Sequence, residues 1–192
     1  MHLRVSFRQI FPSLLTYVLL IISAIFCDYI LHLINLVWVG RYFGIVGSTL
    51  IITSFLYSMK KRKMISWGSS KFLLQSHELM GWIGALLILV HGGIHFNAII
   101  PWAAMIFMLI VVGSGLTGKF LLQDAKEKLK NREIELREKS FSEEEIQQEL
   151  LSHSLLVETM QKWRRIHMPL SMIFFALASL HIIFTLLLWR WN

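Results

Sequence analysis

Apolar residues come in five long runs separated by short polar breaks. Residues 10–39 form the first run and residues 43–59 the second, parted by Gly40, Arg41 and Tyr42, which read as a short turn. The third run occupies residues 72–95, the fourth Trp102–Leu122 and the fifth residues 166–189. Each reaches the ~17–25 residues with which an α-helix crosses the hydrocarbon core of a bilayer. The pattern predicts an all-α membrane protein, a bundle of five transmembrane helices. Between the fourth and fifth runs the character changes. Residues 123–165 hold 10 acidic and 9 basic residues interleaved with leucine and isoleucine, as on solvated helices. Ser142 and Glu145 have the spacing of a capping box, so a helix is expected to begin there. The organisation expected is one membrane domain: helices 1–4 in residues 1–122, a charged cytoplasmic helical arm in 123–165, and helix 5 in 166–192.

Charge sets the expected topology. Arg4 and Arg8 precede the first run, Lys60-Lys61-Arg62-Lys63 closes the second, and the Asn97–Pro101 turn has no Lys or Arg. Short basic loops mark the cytoplasmic side, which predicts a multi-pass protein of the cytoplasmic (inner) membrane with its N-terminus inside and its C-terminus outside. The first run is longer than a signal-peptide core and lacks a small-x-small cleavage site, so it is expected to remain as a signal anchor. Pro101 suits the first turn of a helix, and Trp102, Trp189 and Trp191 suit an interfacial belt. The composition, 55% hydrophobic and 12% aromatic, excludes a single soluble domain of 192 residues. The net charge of +7 then belongs to membrane flanks rather than to a nucleic-acid surface. Cys27 is the only cysteine. It excludes an internal disulfide, an iron–sulfur cluster supplied by this chain alone, and covalent haem attachment through Cys-x-x-Cys-His.

The candidate chemistry lies in the histidines. His77 and His91 are 14 residues apart, and the same step separates His167 from His181. On an α-helix that step leaves both imidazoles of a pair on one face, about 21 Å apart along the axis. Two such helices laid side by side set His77 opposite His167 and His91 opposite His181, forming two slots for flat ligands. Polar groups in a bilayer core are costly enough that functional use is the first hypothesis. Haem ligation by histidine pairs fits better than zinc, which gathers three or four ligands around one ion. Gly81 and Gly84 continue the His77 face, and Gly92-Gly93 follow His91, leaving room for a macrocycle; Ser171, Ala178 and Ser179 do so on the partner helix, beside Phe174 and Phe175. Packing of helices in lipid is the plainer use of such residues.

This arrangement resembles the ferric-reductase-like transmembrane domain and related di-haem membrane b-type cytochromes. The likeness covers residues 67–190 in helix order and rests on His77, His91, His167 and His181. It implies two haem b groups with bis-histidine ligation between the third and fifth spans, and electron movement across the membrane. Five spans stand here instead of six, and no flavin or nicotinamide domain follows the last. Direct NADPH oxidation is therefore not expected, and electrons are expected from quinol or from another subunit. The function expected is that of a di-haem cytochrome b subunit exchanging electrons between a quinone pool and a peripheral redox partner, a cytochrome c or an iron–sulfur protein.

Further residues fit around this frame. His95, 18 residues beyond His77 on the same face, could replace His91 as outer ligand or meet a propionate or quinone. Lys71, Arg164 and Arg165 flank the inner pair as cations for propionates, and Arg41 and Arg190 the outer pair. Glu78, beside His77, could orient a ligand or carry protons. Pro169 either starts the fifth span or kinks it. In the first span, Asp28, His32 and Asn35 form a polar stripe suited to proton release from a quinol, or to a hydrogen-bonded contact between helices. A haem-free membrane anchor or assembly subunit is the alternative. A divalent-metal transporter ranks last, because only the first span offers a polar path.

Overall fold

The computed structural model describes the backbone of residues 7–94, 99–139 and 141–188, and the side chains of 11–93, 99–120, 125–139, 141–151 and 166–188. Among the described residues, six α-helices make up the regular structure: α1 Phe7–Leu33, α2 Val39–Ser54, α3 Leu56–Lys61, α4 Ser70–Ile94, α5 Ile99–Glu138 and α6 Glu143–Leu188. Among the described residues, five stretches are long and apolar enough to cross a membrane: Phe11–Leu33, Val39–Lys61, Ser70–Gly93, a part of Ile99–Glu138, and Ile166–Leu188. The five-span reading of the apolar runs therefore holds. Two compact units divide the chain, one of Met1–Thr16 with Gly113–Pro169 and one of Tyr17–Val112 with Leu170–Asn192.

In the larger unit, Leu20, Ala85, Ala104, Met108 and Phe174 make one buried cluster, and Ala24, Leu31 and Val90 a second. The outward positions are just as apolar: Ile25, Phe26 and Leu33 of α1 and Leu187 of α6 are largely exposed. Water would not tolerate so many, whereas lipid does. Helix α2 lies along α4 at close range because both present glycine at the crossing. A β-carbon on Gly84 would stand 3.0 Å from the Gly47 carbonyl oxygen, and one on Gly47 would stand 2.9 Å from that of Gly84. This is the small-residue contact by which helices associate without a hydrophobic driving force.

The first reversal differs from expectation. Gly40, Arg41 and Tyr42 belong to the first turn of α2, and the chain turns at residues 34–38 instead. Asn35 takes the left-handed conformation, φ 55°, while Leu36 N–H donates to the Leu31 carbonyl at 2.9 Å and Asn35 N–H to that of His32 at 3.2 Å. Those two bonds form a Schellman stop, and Asn adopts this backbone more readily than other side chains. Asn35 thus closes α1 and leaves the helical stripe with Asp28 and His32. Lys63, φ 61°, ends α3 the same way, with Met64 N–H donating to Met59 and Lys63 N–H to Lys60, each at 3.0 Å.

The smaller unit holds the charged segment. Helix α5 continues unbroken to Glu138, and α6 runs from Glu143 through Pro169. Ser142 opens α6 as a capping box: its backbone N–H donates to Glu145 Oε2 at 2.9 Å, and Glu145 N–H donates back to Ser142 Oγ at 3.4 Å. Arg132 joins the two helices by donating to Glu135 at 2.8 Å and to Glu149 at 3.0 Å. Arg137 pairs with Glu143 and Glu133. Leu136 of α5 and Ile146 of α6 are buried as well.

Candidate functional site

His91 and His181 meet in the larger unit. Their ring centroids are 6.4 Å apart and the planes are inclined by 47°. An imidazole nitrogen binds a first-row metal ion at about 2.0–2.1 Å and lies ~1.2 Å from its ring centre, so two imidazoles on opposite sides of one ion have centroids roughly 6.4 Å apart. Each ring can rotate about its bond to the ion, so the inclination of the planes is not restricted by such a site. The structure brings the expected outer couple together in space.

Helix α2 holds the His91 ring in place. Nδ1–H donates to the Gly40 carbonyl oxygen at 3.0 Å. A carbonyl can only accept, so Nδ1 carries the proton and Nε2 the lone pair, the tautomer required of a ligand. Metal-binding histidines are commonly oriented in this way by a backbone carbonyl. The ring reaches the α2 backbone because Gly44 has no side chain: a β-carbon there would lie 2.9 Å from three of the ring carbons. Gly40, Gly44 and Gly47 follow each other at i, i+4 and i+7, one face of a helix. Sequence reasoning passed over this signal, having assigned Gly40 to a turn.

His77 belongs to the larger unit and His167 to the smaller, and each has its own support. His77 Nδ1–H donates to the Ser54 carbonyl oxygen at 3.1 Å, again leaving the lone pair on Nε2. Ser54 is the last residue of α2, where carbonyls lack partners within the helix, so the break at Phe55 supplies the acceptor. The Tyr57 ring lies 5.6 Å from that of His77, tilted by 32°. His167 Nδ1 shares a hydrogen bond of 3.0 Å with the hydroxyl of buried Ser114, and Gly115 lies beside the ring, 3.5 Å from Cε1 to a β-carbon built there. Pro169 lies inside α6, so His167 sits within a continuous helix.

Three glycines expected to border a macrocycle are used otherwise. Gly84 packs on Gly47 and Ile51 of α2, Gly92 on Met105 of α5, and Gly93 on Asp28 of α1. Gly81 alone of that face has open space, with nothing within 4 Å of a β-carbon. An apolar cleft of about 50 Å³ lies between α2, α4 and α6, lined by Ser48, Ile51, Ile88, Phe174, Ala178 and Ser179. Ala178 and Ser179 thus border a small apolar cleft. Lys71, in the first turn of α4, is exposed. His95 and Arg190 lie outside the described residues, and Arg164 and Arg165 outside the described side chains. Among the described residues no three of His, Cys, Asp and Glu gather as a zinc site would require.

Gly113-Ser114-Gly115-Leu116-Thr117-Gly118 spells the spacing of a dinucleotide-binding turn. It lies within the unbroken helix α5, whereas that motif acts as a turn between a strand and a helix, so it carries no nucleotide chemistry here. The chain matches no protein-family model, and no curated protein or solved structure is significantly similar to it.

Proposed function

We propose that this chain is the haem-bearing membrane subunit of an oxidoreductase, carrying electrons between a quinone pool and a peripheral redox partner. The observation that supports it most is the His91–His181 couple: two imidazoles from different membrane helices, 6.4 Å apart, one of them held in the ligating tautomer by Gly40. A haem b bound between them supplies one-electron redox chemistry, whose potential depends on ligands, hydrogen bonds and burial. The chain's part is to aim the rings, keep out water and set the depth of the site. Gly40 fixes the rotation of His91, and Gly44 grants it space.

The inner couple of this proposal, His77 with His167, comes from the equal 14-residue step of the sequence. His77, His91 and His167 each use Nδ1 for support, the nitrogen that a bis-histidine site leaves to the protein. The charged hairpin would lie in the cytoplasm and offer a docking surface for a redox subunit. The inner membrane, with the N-terminus inside, follows from the basic Lys60–Lys63 segment.

A haem-free anchor is the second reading. The Gly47–Gly84 contact and the histidine hydrogen bonds would serve helix packing without any cofactor. The two separate on one measurement, the reduced-minus-oxidised spectrum of the purified chain with its haem content. The first reading expects a b-type spectrum and two haems per chain. Less than one haem per chain would sink it.

A further inference from the structure

We propose that Asp28 and His32 bind the head group of a quinol, the reduced form of a quinone, where the end of α1 packs on α4. The inference rests on the quinone-linked reading above and adds which redox form is held, and by which residues. Asp28 sets its carboxyl against Gly93: a β-carbon on that glycine would stand 3.5 Å from both Cγ and Oδ1. Oδ1 is shut off from the surroundings and has no hydrogen-bond partner among the described residues. A buried acceptor left unmatched is costly, and ionisable groups retained in membrane spans commonly serve a ligand or a proton.

His32 follows one turn later, its Nδ1 3.6 Å from Asp28 Oδ1 and 2.9 Å from the Asp28 carbonyl oxygen. Because the carbonyl can only accept, Nδ1–H is the donor and Nε2 holds the lone pair. Oδ1 itself is enclosed, so the pair presents its acceptors through Oδ2 of the part-exposed Asp28 side chain and through Nε2 of His32. A quinol brings two hydroxyl donors to such a site, whereas an oxidised quinone brings only carbonyl acceptors. The geometry selects the reduced form. The surroundings suit its tail, since Ile25, Phe26, Tyr29 and Leu33 of α1 are exposed on the lipid-facing surface. Gly93 lies two residues beyond His91, ~3 Å along the helix axis, which sets the bound head group at the depth of the His91–His181 couple.

The test is anaerobic calorimetric titration of the detergent-purified chain with a decyl-chain benzoquinol, and separately with the oxidised decyl-benzoquinone. Wild type should bind the quinol at least about tenfold more tightly, the scale of one charge-assisted hydrogen bond. Asp28→Leu removes a carboxylate from a membrane span and so should not impair folding. It should weaken quinol binding about 10- to 100-fold and leave the quinone within about twofold; His32→Phe should act in the same direction. Equal affinity for the two redox forms, or unchanged quinol binding in Asp28→Leu, overturns the proposal. The haem spectrum is recorded on the same samples. A chain that carries haem but shows no Asp28-dependent quinol preference refutes this site and leaves the cytochrome reading standing. A preference without haem refutes the cytochrome reading and leaves the site.

Discussion

Gly44 lies so near His91 that a β-carbon on it would stand 2.9 Å from three carbons of the imidazole. The ring fills the volume that a side chain on α2 would occupy, and in that position its Nδ1–H reaches the Gly40 carbonyl at 3.0 Å. A backbone acceptor cannot be lost to substitution, but the path to it can. The orientation of a candidate ligand thus depends on the absence of atoms one helix away.

Gly44→Ala should therefore disturb the His91 couple, while Gly81→Ala, with nothing within 4 Å of its β-carbon, should not. Overpacking predicts a loss of about 1–3 kcal/mol for the first and under ~0.5 kcal/mol for the second. Thermal unfolding in detergent compares them, and equal losses would show that the ring yields freely.

His91→Ala and His181→Ala should each remove the same haem and spare the other. Haem content per chain would fall from two towards one in either variant, and the double variant would fall no further. A double variant that loses both haems would place the two histidines in different sites.

Lys63 adopts the left-handed backbone, φ 61°, at the end of α3. For a residue with a β-carbon this costs about 1 kcal/mol, which glycine avoids. Lys63→Gly is expected to raise unfolding stability by up to ~1 kcal/mol. A decrease would mean that the lysine's charge or contacts outweigh the backbone term.

The Glu145 carboxyl is held below its ordinary 4.5 by the backbone N–H of Ser142 first and by the Ser142 hydroxyl second. A carboxyl with a lowered folded-state value lends stability that is present above its unfolded value and lost as pH falls through the folded one. Amide exchange at the start of α6 should accordingly quicken as the pH is taken below about 4.5, relative to the intrinsic rate. Glu145→Gln keeps an acceptor and should flatten that dependence; an unchanged profile would assign it to another carboxyl.

Much of this architecture is legible in the order of residues because a bilayer leaves few choices. A run of some 20 apolar residues satisfies its backbone as helix, so five runs give five helical spans. The capping box at Ser142 and the matched histidine steps are likewise local facts, fixed by helix pitch. Three things were not local. The first turn fell at Asn35 because a Schellman stop competes with every nearby polar break, and the glycine at 40 was as good inside a helix as before one. Gly84, Gly92 and Gly93 turned towards α2, α5 and α1, since a small residue shows only that something comes close, never which neighbour. The carbonyls that take the protons of His77 and His91, those of Ser54 and Gly40, belong to α2, 23 and 51 residues away. Backbone acceptors look alike in every sequence, and only the packing of one helix on another selects among them.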